Sequence, residues 1–269
     1  MTGRRVVVEG VGLHSGAPAR VTLERRDGPV ILVSGALEAR VSALEVASTA
    51  RSTTVEAHGG ALRVGTVEHA FAALAGLGVY EGVALVVEGP EMPLLDGGAA
   101  AWCEALAELG APSRRPGLRV ARHATLEVGA SRYELSTGTG IDVEVCVEFD
   151  DPRIARRARW TGDADDFRAR VASARTFAFA RDLDELARQG LARHADPGSV
   201  VVLAPEQILS AGRLFASDEP ARHKLLDLMG DLYLRGGPPV GRFRAVRPGH
   251  SANARALRRA LDEGVLVPA

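Results

Sequence analysis

The sequence predicts an α+β protein made of two similar sheet-and-helix layered domains packed face to face, with an active site between them. Three observations lead there. Short β-rich runs precede helical patterns in the first hundred residues, the same order recurs in the second half, and a segment rich in proline and arginine, GAPSRRPG (110–117), separates the two. Two prolines and two arginines between apolar-patterned elements read as an exposed linker, so we assign residues 1–112 to an N-terminal domain and 117–269 to a C-terminal one. A chain of 269 residues is long enough to bury two cores.

In chain order, VVVEG, ARVTLERR, VILVSG and LEARV are strand-like runs separated by Gly, Asp and Pro turn signals. GTVEHAFAALAGLG (65–78) has helix composition between two glycines, with Thr66 as the expected N-cap. VALVVEG then reads as a buried strand and AAAWCEALAELG as a second helix. Beyond the linker come strands LRVARHATLEVG, SRYELSTG and IDVEVCVEFDD, a helix near 165–174, a strand SVVVLAP, and helices starting at Asp218 and Ser251. Strands followed by helices, rather than strict alternation, favour layers over a parallel βαβ sheet.

Composition narrows the function classes. With 46% hydrophobic and 25% charged residues the chain has the make-up of a globular protein, and a net charge of −1 gives no electrostatic reason for a nucleic-acid partner. Cys103 and Cys146 form no CxxC pair and are expected in the core, without a disulfide or thiolate metal site. MTGRRVVVEGVGLHSG lacks an apolar signal core, and no window approaches a membrane span. We therefore expect a cytoplasmic protein with no transmembrane segment, and a monomer.

The chemistry concentrates in DEPARHKLLDLMGDLYLRGG. Of 33 lysines and arginines in the chain, Lys224 is the one lysine. The helix is apolar around too much of its circumference to lie on the surface, yet His223, Asp227 and Asp231 recur at i, i+4 and i+8 along one face. Buried ionisable groups need partners. His and Asp four apart can both ligate zinc, although the same spacing also serves an ordinary helix-surface hydrogen bond. Gly230, without a side chain, lets something approach this helix closely. Among seven histidines, His69 is the best placed further ligand, since with Thr66 as N-cap it falls with Glu68 in a first helical turn, where the dipole favours a carboxylate and a neutral imidazole.

Six segments in order, GVGLHSG, TVEHAFAALAGLGV, EMPLLDG, SARTFAF, RHKLLDLMGDLYL and GHSAN, closely resemble the zinc-dependent UDP-3-O-acyl-N-acetylglucosamine deacetylase (LpxC) family across nearly the whole chain. The resemblance implies two α+β domains with the site between them. It also implies hydrolysis of the acetamide of UDP-3-O-(3-hydroxyacyl)-N-acetylglucosamine to a free amine and acetate, the committed step of lipid A biosynthesis. The family's zinc ligands fall on His69, His223 and Asp227, and iron or cobalt would suit the same donor set. Its general base falls on Glu68, its oxyanion donor on Thr176, its general acid on His250 with Asp231 as partner, and a supporting charge on Lys224. Phe149 and Asp182 match positions used near the uridine and sugar, and an acyl passage is expected around the strands and segment 153–160. His14 is left out of catalysis, between a structural role and lining of a substrate channel. The chain departs from the family pattern at Ala178, at Tyr80 and Glu81, and through ARHADPGS and AGRLF, which touches substrate-edge contacts rather than the metal. A zinc hydrolase for another N-acyl amino sugar, or a non-enzymatic nucleotide-sugar-binding relative, are the alternatives; the second expects erosion of the eight catalytic and ligand positions, all of which are intact.

Overall fold

A computed structural model describes residues 4–113, 116–194 and 196–269. Arg114 and Arg115 of the expected linker, Ala195 of ARHADPGS, and residues 1–3 lie outside the described residues.

The first half begins with β1 (Arg5–Val11), β2 (Pro18–Pro29), β3 (Ile31–Ser34) and β4 (Leu37–Arg40). β5 (Glu45–Ser48), β6 (Thr54–Ala57) and β7 (Leu62–Val64) follow as a separate antiparallel sheet that the sequence reading did not separate out. Then come helix α1 (Glu68–Gly76), strand β8 (Glu81–Glu88) and helix α2 (Ala100–Leu109). The main sheet runs β1-β2-β8-β3-β4, and only the β3·β8 pair is parallel. Ala19, Val21 and Leu23 of β2 are buried at period two, which puts one face of the sheet on the helices. Gly110 ends α2 in the left-handed region at φ 70°, where the C-terminal carbonyls of the helix find donors.

The second half contains β9 (Leu118–Val120), β10 (Ala124–Val128), β11 (Ser131–Cys146) and β12 (Arg157–Trp160). SRYELSTG and IDVEVC are one long strand rather than two. It passes through Gly138 and Gly140 with register shifts against its neighbour, so the pleat is interrupted but the strand continues. The last four residues of segment 153–160, which is expected to border an acyl passage, form β12 of this sheet, with Ala158 and Trp160 buried.

The helix expected at 165–174 is shorter and mixed. A single turn α3 (Ala164–Asp166) is capped by the Asp163 carboxylate, which accepts from the N–H groups of Asp165 and Asp166, and a π-helical turn over Phe167–Val171 continues it. The wide turn delivers the buried Phe167 ring onto α1 at Gly76, where a Cβ would lie 2.3 Å from it.

β13 (Thr176–Phe179), α4 (Leu183–Arg188), β14 (Val200–Leu203) and β15 (Ile208–Leu209) form a small three-stranded unit, followed by α5 (Glu219–Tyr233), β16 (Val240–Val246), α6 (His250–Asp262) and β17 (Leu266–Pro268). The larger sheet runs β10-β11-β16-β9-β17, with β12 on β11 and parallel pairs at β11·β16 and β16·β9. Both halves are therefore mixed sheets covered by helices, an α+β arrangement, with more strands after the helices than the sequence order suggested.

Helices α1 and α5 pack on each other at the centre. All nine residues of α1 are buried, and its alanines leave room for α5 to come close. Leu225, Leu226, Leu228, Met229 and Leu232 are essentially inaccessible, each worth about 1.5–3 kcal/mol of apolar burial. Gly230 is where the helices touch, because a Cβ there would stand 2.1 Å from the Glu68 carbonyl oxygen. The close approach that this glycine permits is thus that of α1.

Candidate metal and acid–base site

The α1·α5 contact brings polar side chains together in an otherwise apolar core. Glu68 and His69 are the first two residues of α1, and His223, Asp227 and Asp231 succeed one another along α5. All five are buried, as is His250 at the start of α6. Thr66 is not the N-cap of α1. It stands at φ 52°, and its hydroxyl donates to the buried Glu91 carboxylate at 2.7 Å, satisfying an acceptor that burial has removed from water. Glu91 also accepts from the backbone N–H of His14 and Ser15, so it ties the GVGLHSG loop to the entry of α1.

His223 donates its Nδ1 proton to the Ala174 carbonyl at 3.0 Å, leaving Nε2 as a bare acceptor facing Asp227 Oδ1 at 3.4 Å. His69 Nε2 faces the same oxygen at 3.9 Å. Among the described residues these three form the one group of His, Cys, Asp or Glu side chains whose ligand atoms converge, all within 4.8 Å. Donor atoms around a tetrahedral zinc lie roughly 3.3 Å apart for ordinary bond lengths.

The electrostatics point the same way. The His223 Nε2 lone pair, aimed at a carboxylate oxygen, repels it unless a cation lies between, and His69 Nδ1 is buried without a hydrogen-bond partner among the described residues. Burial lowers the His69 pKa to about 3, with His223 beside it acting in the same direction, and burial also lowers that of His223. Both are therefore neutral imidazoles near neutral pH, and a cation beside Asp227 would engage the His223 lone pair. Burial opposes ionisation of Asp227, but the Lys224 ammonium and the surrounding imidazoles outweigh it and hold the carboxyl below its usual range. Two neutral imidazoles and one carboxylate are the donor set a divalent metal takes.

Lys224 Nζ lies 2.6 Å from Asp227 Oδ2, while His69 and His223 face Oδ1. Its burial disfavours the charge, yet Asp227 more than compensates and raises the pKa. Glu68 Oε2 accepts from the Thr53 N–H at 3.0 Å, and desolvation pushes its pKa up to about 7. Burial works against a charged His250 as well, but Asp231, 3.0 Å from Nδ1, prevails and raises it to about 9. His250 Nε2 is 3.9 Å from both Glu68 Oε1 and Asp227 Oδ2.

A cavity of about 590 Å³ opens over these groups. Nine of the ten residues singled out from the sequence line it: Glu68, His69, Phe149, Thr176, Asp182, His223, Lys224, Asp227 and His250. Asp231 sits behind His250 instead. The far wall is aromatic and aliphatic: Phe149, Phe177 and Phe179 meet edge to face, and Leu186, Val200 and Val202 complete it. Apart from Phe149, which follows β11, this wall comes from β13, β14 and α4, and segment 153–160 does not line this cavity. His14 lines the cavity too, with Nδ1 accepting from the Ala192 N–H at 3.3 Å.

Residues 2–262 match the family model described as UDP-3-O-acyl N-acetylglycosamine deacetylase. The chain belongs to this deacetylase family. It is 37% identical to the UDP-3-O-acyl-N-acetylglucosamine deacetylase of Anaeromyxobacter sp. (strain Fw109-5), over 97% of this chain and 87% of that protein. Proteins of the same name from Shewanella loihica and Brucella melitensis biotype 2 are 35% and 34% identical, over 96% and 97% of this chain and 88% and 94% of their own lengths.

Around these groups, several residues make contacts that the sequence did not reveal. Thr53 contacts Glu68, Asp231 and His250, and Asn253 Nδ2 donates to Asp231 Oδ2 at 2.8 Å while the Tyr133 hydroxyl holds its amide oxygen at 2.7 Å. Arg175, 1% exposed, makes a two-point pair with Glu219 and links the start of β13 to the start of α5. Asn253 lay inside a family-like segment, and Arg175 preceded a named threonine. Thr53, in a short polar run between strands, carried no local signal.

Proposed function

We propose that this chain is a metal-dependent amidohydrolase that removes the acetyl group from UDP-3-O-(3-hydroxyacyl)-N-acetylglucosamine, the committed step of lipid A biosynthesis. The observation that carries the reading is the convergence of two neutral imidazoles, a carboxylate, a buried base and a buried imidazolium on one cavity. Membership of the deacetylase family supplies the substrate class. We take the metal to be zinc, held by His69, His223 and Asp227. We also take residues 1–112 and 117–269 as two domains, the first providing Glu68 and His69 and the second the other groups.

A cation in that position supplies positive charge that acidifies water and polarises a carbonyl. Glu68, with its proton affinity raised to about 7 by burial, removes the proton from the attacking water near neutral pH. Thr176, whose N–H is tied to the Gly97 carbonyl at 2.7 Å at the mouth of β13, presents its hydroxyl to the developing oxyanion. His250 then donates a proton to the departing amine, which would otherwise leave as a strongly basic anion. Asp231 accepts from the Nδ1 side and so directs Nε2 toward the reacting group. Lys224 neutralises the outer oxygen of Asp227 and adds positive potential above the cavity floor. The apolar wall of Phe177, Phe179, Leu186 and Val200 accommodates the acyl chain, and Phe149 and Asp182 face the nucleotide-sugar end.

The test is acetate release from the UDP-3-O-acyl substrate by the purified protein, with and without a chelator, against Glu68→Ala. Chelation abolishes turnover and Glu68→Ala lowers kcat by roughly 100-fold or more. Turnover that survives both overturns the reading.

A further inference from the structure

Thr53 lies in the turn between β5 and β6, 2% exposed, and each of its polar groups is engaged with the acid–base machinery. Its N–H donates to Glu68 Oε2 at 3.0 Å. Its carbonyl accepts at 3.2 Å from the N–H of Val67, the residue that leads into α1. Its hydroxyl lies 2.6 Å from Asp231 Oδ1 and 3.1 Å from His250 Nδ1.

The directions of these bonds follow from what each atom can give. An ionised carboxylate only accepts, so the Thr53 hydroxyl proton goes to Asp231 and its lone pairs face the imidazole. His250 Nδ1 therefore meets acceptors alone: Asp231 Oδ2 at 3.0 Å, Oδ1 at 3.2 Å, and Thr53 Oγ1 at 3.1 Å. A ring proton belongs on Nδ1, and Nε2 is the nitrogen that points into the site. Asn253 grips the other carboxylate oxygen at 2.8 Å, so Asp231 is held from both sides and cannot rotate away from the ring.

We propose that Thr53 is a positioning residue that sets Glu68 and the Asp231–His250 pair in one rigid frame, the base through its backbone and the acid through its hydroxyl. This rests on the deacetylase reading for what the base and acid do. The geometry explains why one residue serves both. The two functional arms sit on α1 and on α5 with α6, elements whose relative placement is set mainly by apolar packing. Apolar packing is non-directional and fixes no hydrogen-bond angle, whereas Thr53 supplies directed bonds to both arms. Thr53 does not line the 590 Å³ cavity over the site but a separate one of about 660 Å³ that it shares with Asp231, so it acts on orientation rather than on substrate affinity.

The experiment compares Thr53→Val, which keeps shape and backbone but removes the hydroxyl, with Thr53→Ser, which keeps the hydroxyl. Displacing a supporting hydrogen-bond partner costs roughly 10–100-fold in rate. We expect that loss in kcat for Thr53→Val with KM within about two-fold, and recovery to within a few-fold of wild type in Thr53→Ser. Proton and nitrogen NMR of the His250 imidazole, assigned against His250→Gln and read with and without added zinc, provides the independent measure. The Nδ1 proton should be deshielded in wild type and Thr53→Ser, and shifted or broadened in Thr53→Val; Thr53→Ala should repeat the Thr53→Val result if the valine protein does not fold. A Thr53→Val protein with wild-type kcat and an unchanged resonance overturns the proposal, as does an equal loss in the valine and serine proteins, which would mark a packing role. A wild-type protein that releases no acetate, yet shows the Thr53-dependent resonance, would sink the deacetylase reading and leave the positioning role standing.

Discussion

Replacing Gly230 with alanine tests the helix contact on which the site depends. The added Cβ would stand 2.1 Å from the Glu68 carbonyl oxygen and 2.8 Å from the Glu68 carbonyl carbon and Cα, all of them backbone atoms that no rotamer change can move aside. A relaxed carbon–oxygen contact needs roughly 3.3 Å, so α1 and α5 must separate by about 1 Å. Overpacking of this kind costs about 1–3 kcal/mol, and the higher helix propensity of alanine returns at most about 1 kcal/mol. For a chain of this size the net loss lowers Tm by a few degrees, on the order of 2–4 °C per kcal/mol. The effect on function should be far larger. Glu68 and His69 move with α1 while His223 and Asp227 move with α5, and ligand distances tolerate only about 0.2 Å. Zinc affinity, read by competition with a chromophoric chelator, should fall by at least ten-fold and acetate release by about 100-fold, with a well-folded protein by circular dichroism. A Gly230→Ala protein with wild-type zinc affinity and activity would refute the claim that helix spacing sets the ligand geometry.

Glu219→Gln leaves the buried Arg175 charge without its carboxylate and should cost about 3–5 kcal/mol, a drop in Tm on the order of 10 °C. Burial raises the Glu219 pKa, but its bonds to Arg175 win and lower it, so this stabilisation is complete above the ordinary carboxyl pKa and disappears as pH falls through the folded value. Urea unfolding from pH 7 to pH 3 should show a shallower acid decline in Glu219→Gln; parallel curves would remove the pair from the acid response. Acetate release should follow a bell in pH, falling below about 7 as Glu68 takes up a proton and above about 9 as His250 loses one, and a bound cation displaces both limbs to lower pH. His250→Gln should lose the alkaline limb together with most of kcat; an alkaline limb that persists in that variant would assign it to another group.

Much of this was legible in one dimension because it rests on local spacing. His223, Asp227 and Asp231 recur every four residues, and a helix period alone puts them on one face, while leucines on the remaining positions announce burial. The strand runs of the first half, the ends of α2 and the helices α5 and α6 were readable from alternation, glycine stops and periodicity. The helix at 165–174 was not, since a π-helical turn is imposed by where the Phe167 ring must pack and leaves no periodic mark. Thr66 misled for a similar reason: its type suits an N-cap, but a distant buried carboxylate claimed its hydroxyl.

The sequence by itself determined the chemical inventory: a buried helix bearing imidazole, carboxylates and a lone lysine, and a second helix opening with Glu68 and His69. Only the tertiary structure decided how that inventory is arranged. It set the approach of α1 over Gly230, the wall that shapes the cavity, and the place of Thr53 between Glu68 and the Asp231–His250 pair. The physical reason is range. Helical periodicity acts over four residues and is written into neighbouring positions, whereas the bond from Thr53 to Asp231 spans 178 residues and exists only because burial forces polar groups from remote segments to satisfy one another.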